Sequence, residues 1–342
     1  MPPKLLTPTP TPTHTAITNP RGVSPQAPQA VVMVRPLHFR PNPQTAADNG
    51  FQRAASNLNE AMLATSAYAE STQAADSLRT QGVRVHLFDD DGRADTPDSI
   101  FPNNWFSTHA GGHVALYPMY CPNRRRERRA DIIEHLKTEY RVQDVIDYSG
   151  LEPDGLFLEG TGAMVLDHLA RVAYVARSHR AHPVALERFA THFNYEPLVF
   201  DTADAQGQPV YHTNVLMTVA TEFALVGLDL ITCPTRRADI VARLQESGRE
   251  VLVLSSAQVA HFAGNALELS SPSGRLLALS TRALESLQAS QIEVIERSAR
   301  LVPLHVPTLE LAGGSVRCML AGVHLAPRPT HTPPVAEKIL FS

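Results

Sequence analysis

Apolar and polar positions along this chain switch between two periods, and each switch marks an element. Val31-Val32-Met33-Val34 is a short apolar run halted by Arg35-Pro36, the pattern of a buried strand feeding a loop, here Leu37 to Asn49. Over residues 50–80, Phe51, Ala55, Leu58, Met62, Ala69 and Leu78 fall near the 3.6-residue period with Gln, Glu and Arg between them, which predicts a helix capped by Gly82. Val83-Arg84-Val85-His86-Leu87-Phe88 alternates as a strand does. Asp89-Asp90-Asp91-Gly92 is a polar turn, and Phe101 to His109 reads as a structured loop opening toward Gly111-Gly112. Further helices are predicted over 127–140, 180–193, 235–247 and 282–290. Strands are predicted over 114–117, 144–147, 163–166, 171–175, 225–229, 251–254, 275–280, 292–295 and 318–324. Short strands alternating with helices over the whole ordered length predict an α/β fold.

Composition adds boundaries. The chain has 342 residues, 43% hydrophobic and 19% charged, which supplies apolar material for a large core. Residues 1–29 differ, with eight prolines and the run TPTPTPT, and are expected to form a disordered proline/threonine-rich tail. No linker rich in Pro, Gly or Ser divides the rest, so residues 30–342 are expected to be one domain. Thirty Lys and Arg against 34 Asp and Glu leave a net charge of -4, which offers no broad attraction to nucleic acid or to an anionic membrane. The basic run Arg124-Arg125-Arg126-Glu127-Arg128-Arg129 lacks interleaved aromatics and is expected to open a solvated helix. Three cysteines cannot build a disulfide framework, no apolar run reaches the roughly 18 residues of a membrane helix, and the N-terminus lacks a continuous signal-type segment. The expected location is the cytoplasm. Neither GxGxxG nor GxxxxGK[ST] follows a strand, and Gly111-Gly112 interrupt the His109/His113 pair, so neither a nucleotide cradle nor a zinc site is expected. Chemistry on a small molecule remains.

Four places along the chain have the residue types for it. Cys318 follows Gly313-Gly314, which permit close backbone approach, and Arg317 beside it would favour a thiolate; the alternative is a core cysteine. His212 and Asn214 in Tyr211-His212-Thr213-Asn214 point the same way if the segment is extended, offering an imidazole and an amide, either for proton transfer or for structure. Glu159 heads Glu159-Gly160-Thr161-Gly162 at a strand's mouth, placed to orient a protonated His212, to bind a substrate NH, or simply to face solvent. Asn265, in the loop after Gly264, either contacts a ligand or satisfies buried backbone.

Several separated blocks then occur in one order: Met33 to Pro36, Thr45 to Gln52, Phe101 to His109, Asn123 to Arg129, Leu158 to Gly162, Tyr211 to Asn214, Gly264-Asn265, and Gly313 to Met319. Together, over residues 31–325, they resemble the guanidino-group-modifying superfamily of arginine deiminases and amidinotransferases, and most closely its citrulline-utilisation hydrolase branch. The resemblance implies a pentein fold, a pseudo-fivefold α/β propeller of ββαβ-like units forming a single catalytic domain. It also implies that Cys318 is the nucleophile, His212 the general acid/base and Glu159 the acid of the site.

Two departures from the deiminases bear on substrate. Those enzymes offer an aspartate to the guanidinium where His109 aligns, and a second where Asn214 stands. A carboxylate pair suits a permanent cation, whereas Asn214 and a neutral His109 suit a neutral group with mixed donors and acceptors. This favours citrulline, hydrolysed through a covalent thioester to ornithine, ammonia and carbon dioxide, with no metal or organic cofactor. Arg35, Asn49 and Asp98 are the candidates for holding the amino acid's carboxylate and ammonium, Arg35 and Asp98 having structural alternatives in a pairing and a turn. An arginine deiminase, an amidinotransferase and a noncatalytic binding protein on the same scaffold are the other readings. The expected partner is a small-molecule amino acid, and homo-oligomerisation is left open.

Overall fold

The structure is a computed structural model and describes residues 24–53 and 59–329. Among the described residues, fifteen strands form five three-stranded sheets, all with one pairing plan. The strands are β1 (Ala30–Pro36), β2 (Arg84–Asp90), β3 (Phe106–His109), β4 (His113–Leu116), β5 (Asp144–Asp147), β6 (Met164–Asp167), β7 (Val172–Ala176) and β8 (Glu196–Phe200). They continue with β9 (Met217–Val219), β10 (Phe223–Val226), β11 (Glu250–Val253), β12 (Leu267–Ser271), β13 (Gly274–Ser280), β14 (Arg300–Leu304) and β15 (Ala321–Val323). In the sheets β3-β4-β5, β6-β7-β8, β9-β10-β11 and β12-β13-β14, the first strand is antiparallel to the middle one and the third is parallel to it. The remaining sheet, β15-β1-β2, has the same plan, but its first strand comes from residues 321–323.

The parallel pairing demands a crossover, and a helix supplies it in every unit. These helices are Glu60–Thr80, Ala130–Glu139, Pro183–Phe193, Pro234–Glu246 and, in the last unit, Thr281–Ser286 with Ala289–Glu296. Middle strands such as β7 and β10 are buried along their whole length and read as continuous apolar runs. Third strands such as β5 and β11 keep exposed positions. The first helix buries Leu63, Ala67, Ala74, Ala75 and Leu78, and its three alanines let it pack close to β1. Among the described residues no helix is long and apolar enough to cross a membrane.

Several sequence expectations are corrected. The helix expected over 50–80 begins at Glu60, where the Asn59 side chain accepts from Met62 N; residues 54–58 lie outside the described ones. The strand expected over 292–295 is part of the helix Ala289–Glu296, and the strand of that unit is β14. The expected strand 318–324 is a helical turn, Val316–Met319, followed by the shorter β15. His212 has extended backbone, but the segment does not continue so: Thr213–Val215 is a 3-10 turn before β9. Order begins before residue 30, because Ser24, Gln26 and Ala27 are buried. Gln26 Nε2 donates to Leu166 O at 3.0 Å and Val219 O at 2.9 Å, pinning this segment across β6 and β9. The rest of the expected tail, residues 1–23, lies outside the described residues.

One narrow channel is lined by residues of β3, β6, β9, β12 and β15, the first strand of every unit. The segments that immediately precede these five strands are Pro102–Asn104, Glu159–Ala163, His212–Val215, Gly264-Asn265 and Ser315–Met319. The repeat thus delivers its chemistry-bearing residues from equivalent positions.

Candidate active site

The turn before β6 starts at Glu159, which is completely buried. Close approach explains its glycines: Gly160 has φ +44°, and a Cβ there would stand 2.5 Å from Asn103 O. A Cβ on Gly162 would meet Asn104 Nδ2 at 2.1 Å and His212 Nδ1 at 2.8 Å, so only glycine fits between the two. Glu159 Oε2 accepts from His212 Nε2 at 2.8 Å, from Arg180 Nη1 at 3.2 Å and from Arg124 Nη1 at 3.5 Å. Its Oε1 accepts from Tyr120 N at 3.0 Å. Burial opposes the charge on Glu159, but Arg180, His212 and Arg124 together hold its carboxyl well below the usual carboxylate range.

The two arginines are themselves anchored. Arg180 reaches Asp48 with Nη2 at 2.5 Å and Nε at 3.3 Å. Arg124 makes a bidentate pair with Glu127 at 2.9 and 3.0 Å and donates to Asn104 Oδ1 at 3.0 Å. Asp98 Oδ2 stands 3.7 Å from Arg124 and accepts from Asn42 Nδ2 at 2.8 Å, while burial pushes the Asp98 carboxyl up.

An ionised Glu159 can only accept, so the proton shared with His212 belongs to Nε2, and Nδ1 carries the lone pair of the neutral ring. Burial lowers the His212 pKa to about 4, although Glu159 pulls it back up. The turn bearing His212 is fixed by Thr213, whose hydroxyl donates to Ala163 O at 2.6 Å and accepts from Ala176 N at 2.7 Å. Tyr211 Oη donates to Gly313 O at 2.7 Å and ties this turn to the cysteine loop.

Cys318 is 2% exposed, in the helical turn Val316–Met319. Asn265 Nδ2 donates to its sulfur at 3.2 Å and Asn214 Nδ2 at 3.3 Å. Asn265 also braces the surroundings, donating to Asn214 O at 2.8 Å and accepting from Ser315 N at 3.1 Å. Burial pushes the thiol up; the Asn265 amide, the Ser315 contact, the Asn214 amide and the Arg317 charge act against that rise. The structure therefore brings Glu159 and His212 together, and Cys318 with Asn214 and Asn265, with His212 and Asn214 two residues apart on one turn.

Two sequence candidates, His109 and Arg35, stand elsewhere, while Asn49 braces the cysteine loop. His109 lies in an aromatic nest, its ring centroid 4.1 Å from Phe193 and 5.6 Å from Phe189, with Nε2 at 2.7 Å from Ser107 Oγ. Its strand, β3, carries it away from the turn before that strand, which is where the site is built. Arg35 pairs with Asp89 at 2.7 Å and lies over the Tyr68 ring. Asn49 spends both ends of its amide on backbone, donating to Ala312 O and accepting from Phe51 N, each at 3.1 Å. Asp98 does join the charged cluster.

Residues not singled out from sequence fill the space instead. Arg124 was expected on a solvated helix and is 2% exposed, because Glu127, one turn on, and two distant carboxylates neutralise it. Arg180 and Asp48 carried no local signal. Asn103 and Asn104 lie in the segment Phe101 to His109, where the sequence pointed to His109 alone. Among the described residues, three buried polar atoms around this cluster lack a hydrogen bond: Asn104 Nδ2, Asn103 Oδ1 and Asp98 Oδ1. One is a donor and two are acceptors, the set that a group with both an N–H and an oxygen would satisfy.

A family model described as N,N dimethylarginine dimethylhydrolase, eukaryotic, matches residues 35–325. No curated protein matches the sequence. The N-terminal domain of ArgZ, an arginine dihydrolase from the ornithine-ammonia cycle in Cyanobacteria, was solved as a cysteine-to-serine mutant bound to substrate. It is similar with TM-score 0.65 and 16% identity, over 86% of this chain and 97% of that one. AgrE in ternary complex with ornithine and NAD+ gives TM-score 0.65 and 17% identity, over 87% of this chain and 40% of that one. A cysteine-to-serine mutant of the dimethylarginine hydrolase from Pseudomonas aeruginosa, complexed with citrulline, gives 0.58 and 13%, over 86% and 99%. The shared architecture is mixed α/β of the pentein kind. Matched along most of its length, the chain belongs to the N,N-dimethylarginine dimethylhydrolase family of the guanidino-group-modifying pentein superfamily, as a C–N bond hydrolase.

Proposed function

We propose that this protein hydrolyses the ureido group of citrulline, releasing ornithine, ammonia and carbon dioxide, as in the citrulline-utilisation branch of the superfamily. The observation that carries the reading is the pair of carboxamides, Asn214 and Asn265, at 3.3 and 3.2 Å from the Cys318 sulfur. Carboxylates there would attract a guanidinium; amides match a neutral ureido group and accommodate its oxygen. We also propose that the five units close into a pseudo-fivefold propeller, since the first strand of each lines one channel.

His212 Nδ1 takes the proton of Cys318, and the sulfur bonds to the ureido carbon. The developing oxyanion is met by donors such as Asn214 Nδ2 or Asn104 Nδ2, each contributing about 3 kcal/mol where well placed. The C–N bond to ornithine then breaks, with the imidazolium giving its proton to the departing amine. This leaves a carbamoyl thioester on Cys318. His212 next removes a proton from water, the hydroxide adds to the thioester carbon, and the C–S bond breaks. The thiol is reprotonated and carbamate leaves, to decompose into ammonia and carbon dioxide. Glu159, held anionic by Arg124 and Arg180, stabilises the imidazolium formed in each half. The expected cellular setting is the cytoplasm, with assembly into homo-oligomers left open.

A second reading is a guanidinium substrate, favoured by the unpartnered Asp98 Oδ1, a carboxylate oxygen able to receive an N–H of a cation. Citrulline, arginine and dimethylarginine, each incubated with wild type and with Cys318→Ala, separate the readings through amino-acid and ammonia analysis. Ornithine from citrulline, lost by about 10^4-fold in the variant, is the expected result. Citrulline formed from arginine or dimethylarginine, with no ornithine, would overturn the ureido assignment.

A further inference from the structure

Beneath the catalytic turns, the five first strands enclose a cavity of about 40 Å3, room for a few waters or one small ion. Its wall includes Arg317, His168 and His324. Arg317 precedes Cys318 in the same helical turn, and its Nη1 donates to Leu320 O at 3.1 Å. Among the described residues no carboxylate pairs with this guanidinium; Cys318 is the one potential anion that acts on it.

Every other titratable group facing the cavity is neutral or of the same sign. The rings of His168 and His324 lie 4.0 Å apart between centroids. Burial, and then the neighbouring Arg317, lowers His324 to about 4. Burial also holds His168 well below its ordinary value, helped by His324, His109, Arg171 and Arg317. Burial brings Arg317 itself down to about 10, still cationic at neutral pH. Gln26, also on the wall, is fastened to Leu166 O and Val219 O. Arg317 is half-buried, and a cation held this deep without a counter-charge favours an anion that can reach it.

We infer that Arg317, with His324 and His168, holds a small inorganic monoanion of the size of chloride or bicarbonate in this cavity, and that its occupancy lowers the reactivity of Cys318. The second half follows from the sign of the field. Arg317 favours the thiolate of Cys318, and an anion beside the guanidinium cancels part of that effect. Chloride would arrive from solvent, whereas bicarbonate would also form from the carbon dioxide released at the catalytic turns. The site itself requires no particular substrate.

The test uses the full chain. Wild-type crystals grown in sodium bromide are examined for anomalous density beside Arg317. Separately, the modification of Cys318 by methyl methanethiosulfonate is followed by peptide mass at pH 7.5 in chloride, bicarbonate or gluconate of equal ionic strength, for wild type and Arg317→Met. Bromide density is expected at the guanidinium, with modification roughly five- to tenfold slower in chloride or bicarbonate than in the bulkier gluconate. That difference disappears in Arg317→Met. Stronger slowing by bicarbonate than by chloride assigns the site to the reaction's own product. Absence of bromide density overturns the site, and equal wild-type rates in the three salts overturn the coupling, whether or not the variant folds.

Discussion

The two halves of the candidate site are built from opposite materials. Around Glu159 stand Arg124, Arg180, Asp48, Asp98 and Glu127, a buried lattice of full charges joined by hydrogen bonds. Around Cys318 stand Asn214, Asn265 and Ser315, with no carboxylate in contact with the sulfur among the described residues. The charged half is already paired before any substrate arrives, so its role is to hold one carboxylate and one imidazole in place. In the neutral half no full charge touches the sulfur, and burial pushes the thiol up. Fixed charge orients; neutral amides leave room for charge to develop.

Breaking the charged half should give the largest effect. Arg124→Met leaves Glu127, Glu159 and Asp98 short of a partner in a dry environment. Stability is expected to fall by about 3–5 kcal/mol, read from urea unfolding, because an uncompensated buried charge costs far more than its pair contributed. Making the neutral half resemble the charged one comes next. Asn214→Asp puts a carboxylate where an amide now donates at 3.3 Å, raising the thiol further and removing a donor. The kcat/KM for citrulline should drop by about 100-fold while the ratio of arginine to citrulline rises, as steady-state kinetics with both would show.

Acid should sharpen the contrast in a smaller way. His212 and His324 are each lowered to about 4 by burial, below the value of about 6.5 for a free imidazole. Above about pH 6.5 both states are neutral and the histidine's contribution is complete. Between about 6.5 and 4 the unfolded chain takes up the extra proton first, and that stability is lost. Asp98, Glu70 and Glu310, pushed up by burial, work in the opposite sense, so the informative quantity is a difference. His324→Leu should lose about 2 kcal/mol less than wild type between pH 7 and 4.5, measured by urea unfolding at each pH. The smallest effect is expected from Arg35→Ala. Its partner Asp89 is half exposed, so stability should change by less than about 1 kcal/mol and citrulline KM should stay within about twofold.

Much of this arrangement could be read from the chain before its fold. Val31 to Val34, the alternation at 83–88 and the apolar runs of β7 and β13 gave their strands away, because a buried strand needs continuous apolar residues whatever surrounds it. Cys318, His212 and Glu159 stood out through their order and their glycines. Arg124 did not, since a cation inside a run of six charged residues looks solvated until two carboxylates from distant segments join its neighbour Glu127 around it. His109 misled for the converse reason. It lies a few residues past the turn that matters, and each further residue along a strand moves a side chain about 3.3 Å from its starting level. Gln291-Ile292-Glu293-Val294-Ile295 alternates in the manner of a strand, yet the Gln288 and Gln291 side chains cap it as a helix. Local pattern reports burial well and long-range pairing hardly at all.

One feature of the fold bears on when the protein becomes active. The sheet opened by β1 is completed by β15, and Cys318 sits just ahead of that closing strand. During synthesis the emerging chain can lay down four sheets and seat Glu159 beside His212 before Cys318 is brought to them. Burial of Cys318 and completion of the last sheet are therefore coupled, because one short stretch of chain does both.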